Sequence, residues 1–193
     1  VHIEGFGSIE AVAKTKGEIF ENLQEGGVAI INQDEPFFQQ WLQQAGKASV
    51  VTFSKYDTSA NYYASNIHIQ TNASTVFELH LAQQTITIKL ALLGEHNVLN
   101  AVAAAAAAMT AGATVDDVKK GLESVRPVDG RLKASADSNR TVIDDTYNAS
   151  PGSVMAAIDV LSGFSGRRCL ILGTMAELGG LAEKSHRDVA NYA

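Results

Sequence analysis

The chain has 193 residues, 15 basic and 21 acidic side chains for a net charge of -6, 46% hydrophobic and 19% charged content, and one cysteine, Cys169. At roughly 100 to 200 residues per domain it holds one domain, or one and part of another, and it can bury a sizeable core. A disulfide framework and a cysteine-based zinc site are excluded, a reducing cytoplasmic setting is the default, and the acidic balance argues against a nucleic-acid partner.

No apolar run reaches the ~18 to 20 residues of a membrane span, so no membrane insertion is expected. The longest such stretch, Ala101 to Ala108, is alanine apart from Val102. Val1 stands where a start methionine would, and Arg187 to Ala193 read as the middle of a helix. An internal piece of a longer protein is the expectation.

From Ser8 to Leu23 the positions Ile9, Val12, Ala13, Ile19, Phe20 and Leu23 fall at helical spacing, with Ser8 as N-cap. Val28 to Asn32 is a short apolar run suited to a strand buried on both faces. Pro36 to Gln44 predicts a helix and Val50 to Phe53 a strand. Between Asn61 and Leu90 the period changes to two, which predicts antiparallel strands at a sheet edge, separated by Thr71-Asn72 and by Ala82 to Gln84. A long alanine-rich helix follows over Asn97 to Thr110, then one capped by Thr114 over Val115 to Val125. Pro127 to Gly130 breaks the chain, and a domain boundary is placed there, dividing 1-128 from 129-193. Beyond it come a strand at Thr141 to Asp145, a helix at Gly152 to Leu161, a strand at Arg168 to Leu172 and a helix at Ala182 to Tyr192. The fold class is therefore α/β: a mixed sheet with helices and an antiparallel edge, then the start of a second α/β unit.

Lys16 lies on the apolar stripe of the first helix, and an inward lysine is costly unless paired, neutral or modified. Either its stem lies along the core with the ammonium snorkelling out, or the amine reacts with carbon dioxide to give a carbamate suited to a hard cation such as magnesium. His2 lies fourteen residues earlier, in a glycine-punctuated segment. Gly5-Phe6-Gly7 is not a dinucleotide fingerprint, because Glu10 occupies the place of the third glycine and no strand precedes it. His96, Asn97 and Asn100 gather at the start of an apolar helix. They either cap it or present an amide pair to a purine edge, and a helix N-terminus also favours phosphate. Arg131 follows the break, and Asp144 to Pro151 follows a strand, where ligands of open α/β sheets collect, unless its two aspartates with Ser150 and Pro151 are only a helix-start device. A carboxylate there can hold ribose hydroxyls, and the arginine can fork onto phosphate oxygens. No Gly-x-x-x-x-Gly-Lys-Ser/Thr phosphate loop occurs in the sequence, nor a serine nucleophile elbow, nor a His-Glu-x-x-His pair.

Taken together, His2 with Gly5-Phe6-Gly7-Ser8, Lys16 to Phe20, Ile31-Asn32-Gln33-Asp34, Gly94 to Asn100, Gly130-Arg131, Asp144 to Pro151 and Met175 to Gly179 resemble the Mur ligases over the whole chain. The resemblance implies the second half of a central ATP-binding domain followed by the first part of a Rossmann-like C-terminal domain. It implies an ATP-dependent amide-bond ligase of peptidoglycan synthesis, cytoplasmic and monomeric, the fragment alone being inactive. Within the family, Asp144 to Pro151 is similar to the member that joins D-alanyl-D-alanine to a UDP-N-acetylmuramoyl-tripeptide through an acyl phosphate. Lys16 then matches the carbamylated lysine and His2 the magnesium-binding histidine. Asn97 and Asn100 match the pair near adenine, with His96 beside them. Arg131 matches the arginine that reaches the ATP phosphates and Asp145 the acid near the ribose, while Tyr147 and Asn148 belong to the loop typical of that member. Thr174 departs from the pattern, which has aspartate before Met-Ala-Glu-Leu-Gly. Other Mur ligases or a folylpolyglutamate synthase are the rival enzymes, and a non-catalytic nucleotide-binding module is the rival of another class.

Overall fold

The computed structural model describes residues 3–70, 73–136 and 140–193. His2 and the Thr71-Asn72 turn lie outside them. A short helix α1 (Ile3–Phe6) precedes α2 (Ile9–Glu21), whose first turn is held by Ser8: the Ala11 N–H donates to its Oγ at 3.1 Å. Then come β1 (Val28–Asn32), α3 (Phe38–Ala45), β2 (Ser49–Ser54), β3 (Tyr62–Ile69), β4 (Thr75–Leu81) and β5 (Gln84–Leu90). These strands form one mixed sheet in chain order. β1, β2 and β3 run parallel to their neighbours, while β3, β4 and β5 form the antiparallel edge, with a bulge between Ser65 and His68. The period-two sequence here has the expected cause: on β4, Thr75, Phe77, Leu79 and Leu81 are buried and the alternate residues are not. At the outer edge of β5, the Lys89 N–H donates to Glu123 Oε1 at 3.1 Å, so α5 (Val115–Ser124) satisfies one group of the open strand edge.

The helix α4 (Glu95–Thr110) lays Val98, Ala101, Val102 and Ala105 against Phe77, Leu79, Ile88 and Leu90, the main core. Each fully buried large side chain there contributes about 1.5–3 kcal/mol. A second cluster joins Ala29 and Ile31 of β1 to Ala45, Trp41 and Phe20, fixing α2 and α3 to the sheet. Trp41 Nε1 donates to the Ala13 carbonyl at 2.9 Å, and Gly17 leaves room for Gln44, whose Oε1 would stand 1.8 Å from a Cβ at that position.

This packing corrects one expectation. The buried side of α2 carries Ala13, Gly17 and Phe20, whereas Lys16 is exposed together with Ile9 and Ile19. Two adjacent stripes share the helical period on this segment, and the smaller residues are the ones that meet α3.

After α5 the chain forms β6 (Lys133–Ala136) and β7 (Thr141–Asp144), an antiparallel pair, then α6 (Pro151–Ser162), a 3-10 turn (Gly179–Leu181) and α7 (Ala182–Tyr192). The strand expected at Arg168 to Leu172 is absent. That stretch finds no ladder partner among the described residues, and Ile171 is 93% exposed. Without neighbours, an apolar run has no backbone hydrogen bonds to make it a strand. Val154, Ile158, Met175, Leu178 and Val189 form the core of this part, and a small cluster of Leu93, Leu132 and Val160 fastens it to the start of α4.

Candidate nucleotide site

The junction held by that cluster encloses a cavity of about 560 Å³, within the range of pockets that enclose small organic ligands. His96, Asn97 and Asn100 line it from α4, and Arg131, Asp145, Tyr147 and Asn148 from the other side. Ser150, Gly152 and Ser153 add the first turn of α6, which Ser150 caps by accepting the Ser153 N–H.

The α4 wall is shaped by Gly94. Its φ of +90° favours glycine, and a Cβ there would lie 2.7 Å from the His96 ring and 2.9 Å from Val160. The helix thus starts at Glu95, two residues before the expected Asn97, and neither His96 nor Asn97 is its N-cap. Asn97 Nδ2 instead donates to the Leu93 carbonyl at 2.8 Å, and Asn100 Nδ2 lies 3.4 Å from Asn97 Oδ1. The pair is oriented from within, which leaves the Asn100 carbonyl oxygen and one amide hydrogen on each side chain for a ligand. Burial lowers the His96 pKa; the Asp145 carboxylate partly offsets this and Lys55 adds to it. His96 is therefore neutral near pH 7, with one donor and one acceptor nitrogen.

Opposite, the Asp144–Asp145 pair is bonded to the Gly130 to Leu132 segment. Asp144 Oδ2 accepts the Gly130 N–H at 3.2 Å, while Oδ1 accepts the Thr146 hydroxyl and N–H at 2.7 and 3.1 Å. These bonds, those from Thr146 foremost, hold the Asp144 pKa below the usual range. Asp145 Oδ1 accepts the Leu132 N–H at 3.2 Å, leaving Oδ2 for a hydroxyl. The Tyr147 N–H bonds the Gly130 carbonyl at 3.0 Å, placing its ring beneath Arg131.

The structure thus brings together the seven candidates of the nucleotide group. It does not bring Lys16 to this cavity, and His2 is outside the described residues. Sequence reasoning passed over Arg126, a second arginine of the cavity wall; its guanidinium donates to the Glu123 and Val125 carbonyls, closing the end of α5. It also passed over Lys55, Tyr56 and Glu95, whose side chains meet at the start of α4. The signal available for them was the position of Glu95 beside His96.

Comparison with known proteins agrees with this architecture. The family model of the Mur ligase middle domain matches residues 1–108, and that of the Mur ligase glutamate ligase domain matches residues 130–193. The UDP-N-acetylmuramoyl-tripeptide--D-alanyl-D-alanine ligase of Escherichia coli K12 is 42% identical over 193 residues, covering 100% of this chain and 42% of that protein. The enzyme of the same name from Haemophilus influenzae is 45% identical over 192 residues, covering 99% and 41%. Among solved structures, MurF from Acinetobacter baumannii superimposes with a TM-score of 0.94 at 32% identity, covering 100% of this chain and 42% of that one. MurF of Thermotoga maritima in complex with ADP gives 0.88 at 27% identity, with 100% and 44% coverage. The chain therefore spans about two fifths of the length of these relatives. With an α/β fold and both domain matches in order, the chain belongs to the Mur ligase family.

Proposed function

We propose that the protein carrying this chain is a cytoplasmic, monomeric ATP-dependent ligase that joins D-alanyl-D-alanine to a UDP-N-acetylmuramoyl-tripeptide in peptidoglycan synthesis. Residues 1–128 belong to its ATP-binding domain and 129–193 to the next. The observation that carries the reading is the single cavity in which an oriented asparagine pair faces an arginine and a carboxylate. Asn97 and Asn100 read the purine edge, Asp145 Oδ2 receives a ribose hydroxyl, and Arg131 neutralises phosphate oxygens. In the reaction, the tripeptide carboxylate attacks the γ-phosphorus and ADP leaves. The amine of D-alanyl-D-alanine then attacks the acyl phosphate, losing a proton as phosphate departs. Arg131 at the hinge lets closure of the two parts exclude water from the acyl phosphate.

A carbamate on Lys16 and the imidazole of His2 would hold magnesium, which supplies charge neutralisation for the transferring phosphoryl group. Lys16 fits this in that its amine is exposed and pairs with no carboxylate among the described residues, and no group of three metal-ligating side chains occurs among them to compete.

The test is ADP release by the full-length protein given ATP and the UDP-linked tripeptide. Release that depends on D-alanyl-D-alanine, with formation of the amide, is expected. Stimulation by diaminopimelate or lysine instead would transfer the protein to another branch of the family, and no nucleotide turnover at all would end the ligase reading.

A further inference from the structure

The helix α4 carries three residues of the cavity wall, yet its N-cap, Gly94, has no side chain to hold the first turn. The turn is held from outside. Lys55 Nζ stands 2.9 Å from Glu95 Oε2, the Tyr56 hydroxyl donates to the same oxygen, and the ammonium lies 4.5 Å from the Tyr56 ring centre. Burial works against the Lys55 ammonium, but its bonds to Glu95 and Tyr56 raise its pKa above the ordinary value; the bonds from Tyr56 and Lys55 lower that of Glu95. Both stay charged around neutrality.

The clamp is itself anchored in the sheet. Ser54, fully buried, donates its hydroxyl to Asp34 Oδ1 at 2.5 Å, and the Lys55 N–H donates to Asp34 Oδ2 at 2.7 Å. Asp34 in turn donates its N–H to Asn32 Oδ1 at 3.0 Å. The Asn32-Gln33-Asp34 segment at the carboxyl end of β1 is thereby linked through three residues to the first turn of α4.

We propose that Glu95, gripped by Lys55 and Tyr56, is a positioning residue for base recognition: it fixes the His96, Asn97 and Asn100 wall and so the preference for adenine over guanine. This rests on the nucleotide reading of the cavity. A displaced first turn swings the asparagine amides away from the base edge, while Arg131, on the opposite wall, keeps its grip on phosphate. Loss of the clamp therefore weakens and broadens nucleotide choice without removing turnover.

The experiment compares Glu95→Gln, Lys55→Met, Tyr56→Phe and Lys55→Arg in the full-length protein, with ATP and GTP as alternative donors. For Glu95→Gln and Lys55→Met the KM for ATP is expected to rise about tenfold with kcat held within about twofold, and the ATP-over-GTP ratio to fall by a similar factor. Tyr56→Phe, which removes one hydroxyl, moves both readouts less, and Lys55→Arg restores them. An unchanged ATP-over-GTP ratio in Glu95→Gln, Lys55→Met and Tyr56→Phe, whatever their melting temperatures, would overturn the proposal and leave the clamp a stability device. Absence of ATP binding in the unsubstituted protein would overturn the nucleotide reading with it, a result recognisable because no variant is needed to see it.

Discussion

The guanidinium carbon of Arg131 stands 3.9 Å from the centre of the Tyr147 ring, close enough for a cation–π contact, while Tyr147 itself is held by its N–H to the Gly130 carbonyl. The ring is 68% exposed, so it serves as a platform for the arginine and not as core. A contact of this kind at an exposed site is worth about 0.5–1 kcal/mol. Tyr147→Ala should then weaken ATP binding by roughly two- to fivefold, and Tyr147→Phe should leave it unchanged because the hydroxyl takes no part. Titration calorimetry of the full-length protein reads both. Equal affinities for Ala and the native residue would mean that Arg131 is oriented by something else.

His96 gives the site a stability term in a window of its own. Burial depresses its pKa in the folded protein below the ordinary 6.5, so the unfolded chain binds the proton more readily. Stability is therefore fully present above about pH 6.5 and falls as the pH drops toward the folded-state pKa. The depressed carboxylates Glu95 and Asp144 act only below their ordinary values of 4.5 and 3.8. Melting temperature measured from pH 8 to 5 should decline for the native protein and decline less for His96→Gln. Asp145→Asn, which removes the carboxylate that partly offsets burial, should steepen the decline. A flat profile in the native protein would contradict the assignment.

Ser8, Thr114 and Ser150 were legible as helix starts because capping is local chemistry, and each caps its helix in the structure. The period-two run from Asn61 to Leu90 was legible because only one face of β4 and β5 meets the helices, α4 over β4 and α5 over β5. Three features were not. The strand β6 is Lys133-Ala134-Ser135-Ala136, small residues without a strand signature, and its pairing with β7 is what defines it. Arg168 to Leu172 has the signature without the partner. On α2 the choice between two stripes was made by the shape of α3, which no periodicity of α2 contains. For the site, residue chemistry pointed to Asn97, Asn100, Arg131 and Asp145, but the three-residue clamp on Glu95 depends on a loop 40 positions away from it in sequence, and only the fold brings the two together.

Two glycines should respond to alanine to very different extents. At Gly94, a positive φ and the close approach of His96 and Val160 both oppose a Cβ, and the backbone strain alone costs about 1–3 kcal/mol. At Gly17 the backbone is helical and the obstacle is the far end of Gln44, which can swing away. That movement gives up the Gln44 bonds to Glu21 and the Lys14 carbonyl and the long one it accepts from Gln40, but alanine gains about 0.8–1 kcal/mol of helix propensity. Urea unfolding should show Gly94→Ala strongly destabilised and Gly17→Ala within about 1 kcal/mol of the native protein. A large loss at Gly17 would show that Gln44 is fixed more firmly than its three side-chain bonds imply.

His186 ties the segment around Met175 to α7. Its Nε2 accepts the Met175 N–H at 3.0 Å and its Nδ1 lies 2.8 Å from the Ala182 carbonyl, an arrangement that requires the neutral ring with the proton on Nδ1. Met175 is buried in the cluster that includes Val154 of α6, and the first turn of that helix lines the cavity. Substituting His186→Phe keeps an aromatic ring but leaves the Met175 N–H without its acceptor, at a cost of about 1–3 kcal/mol. Hydrogen exchange at the Met175 amide should accelerate by the matching factor, while amides of β4 and β5, which belong to a different core, keep their protection. Because α6 rests on this cluster, a rise in the KM for ATP should accompany the faster exchange. Unaltered exchange at Met175 would mean that the backbone there is held by packing alone.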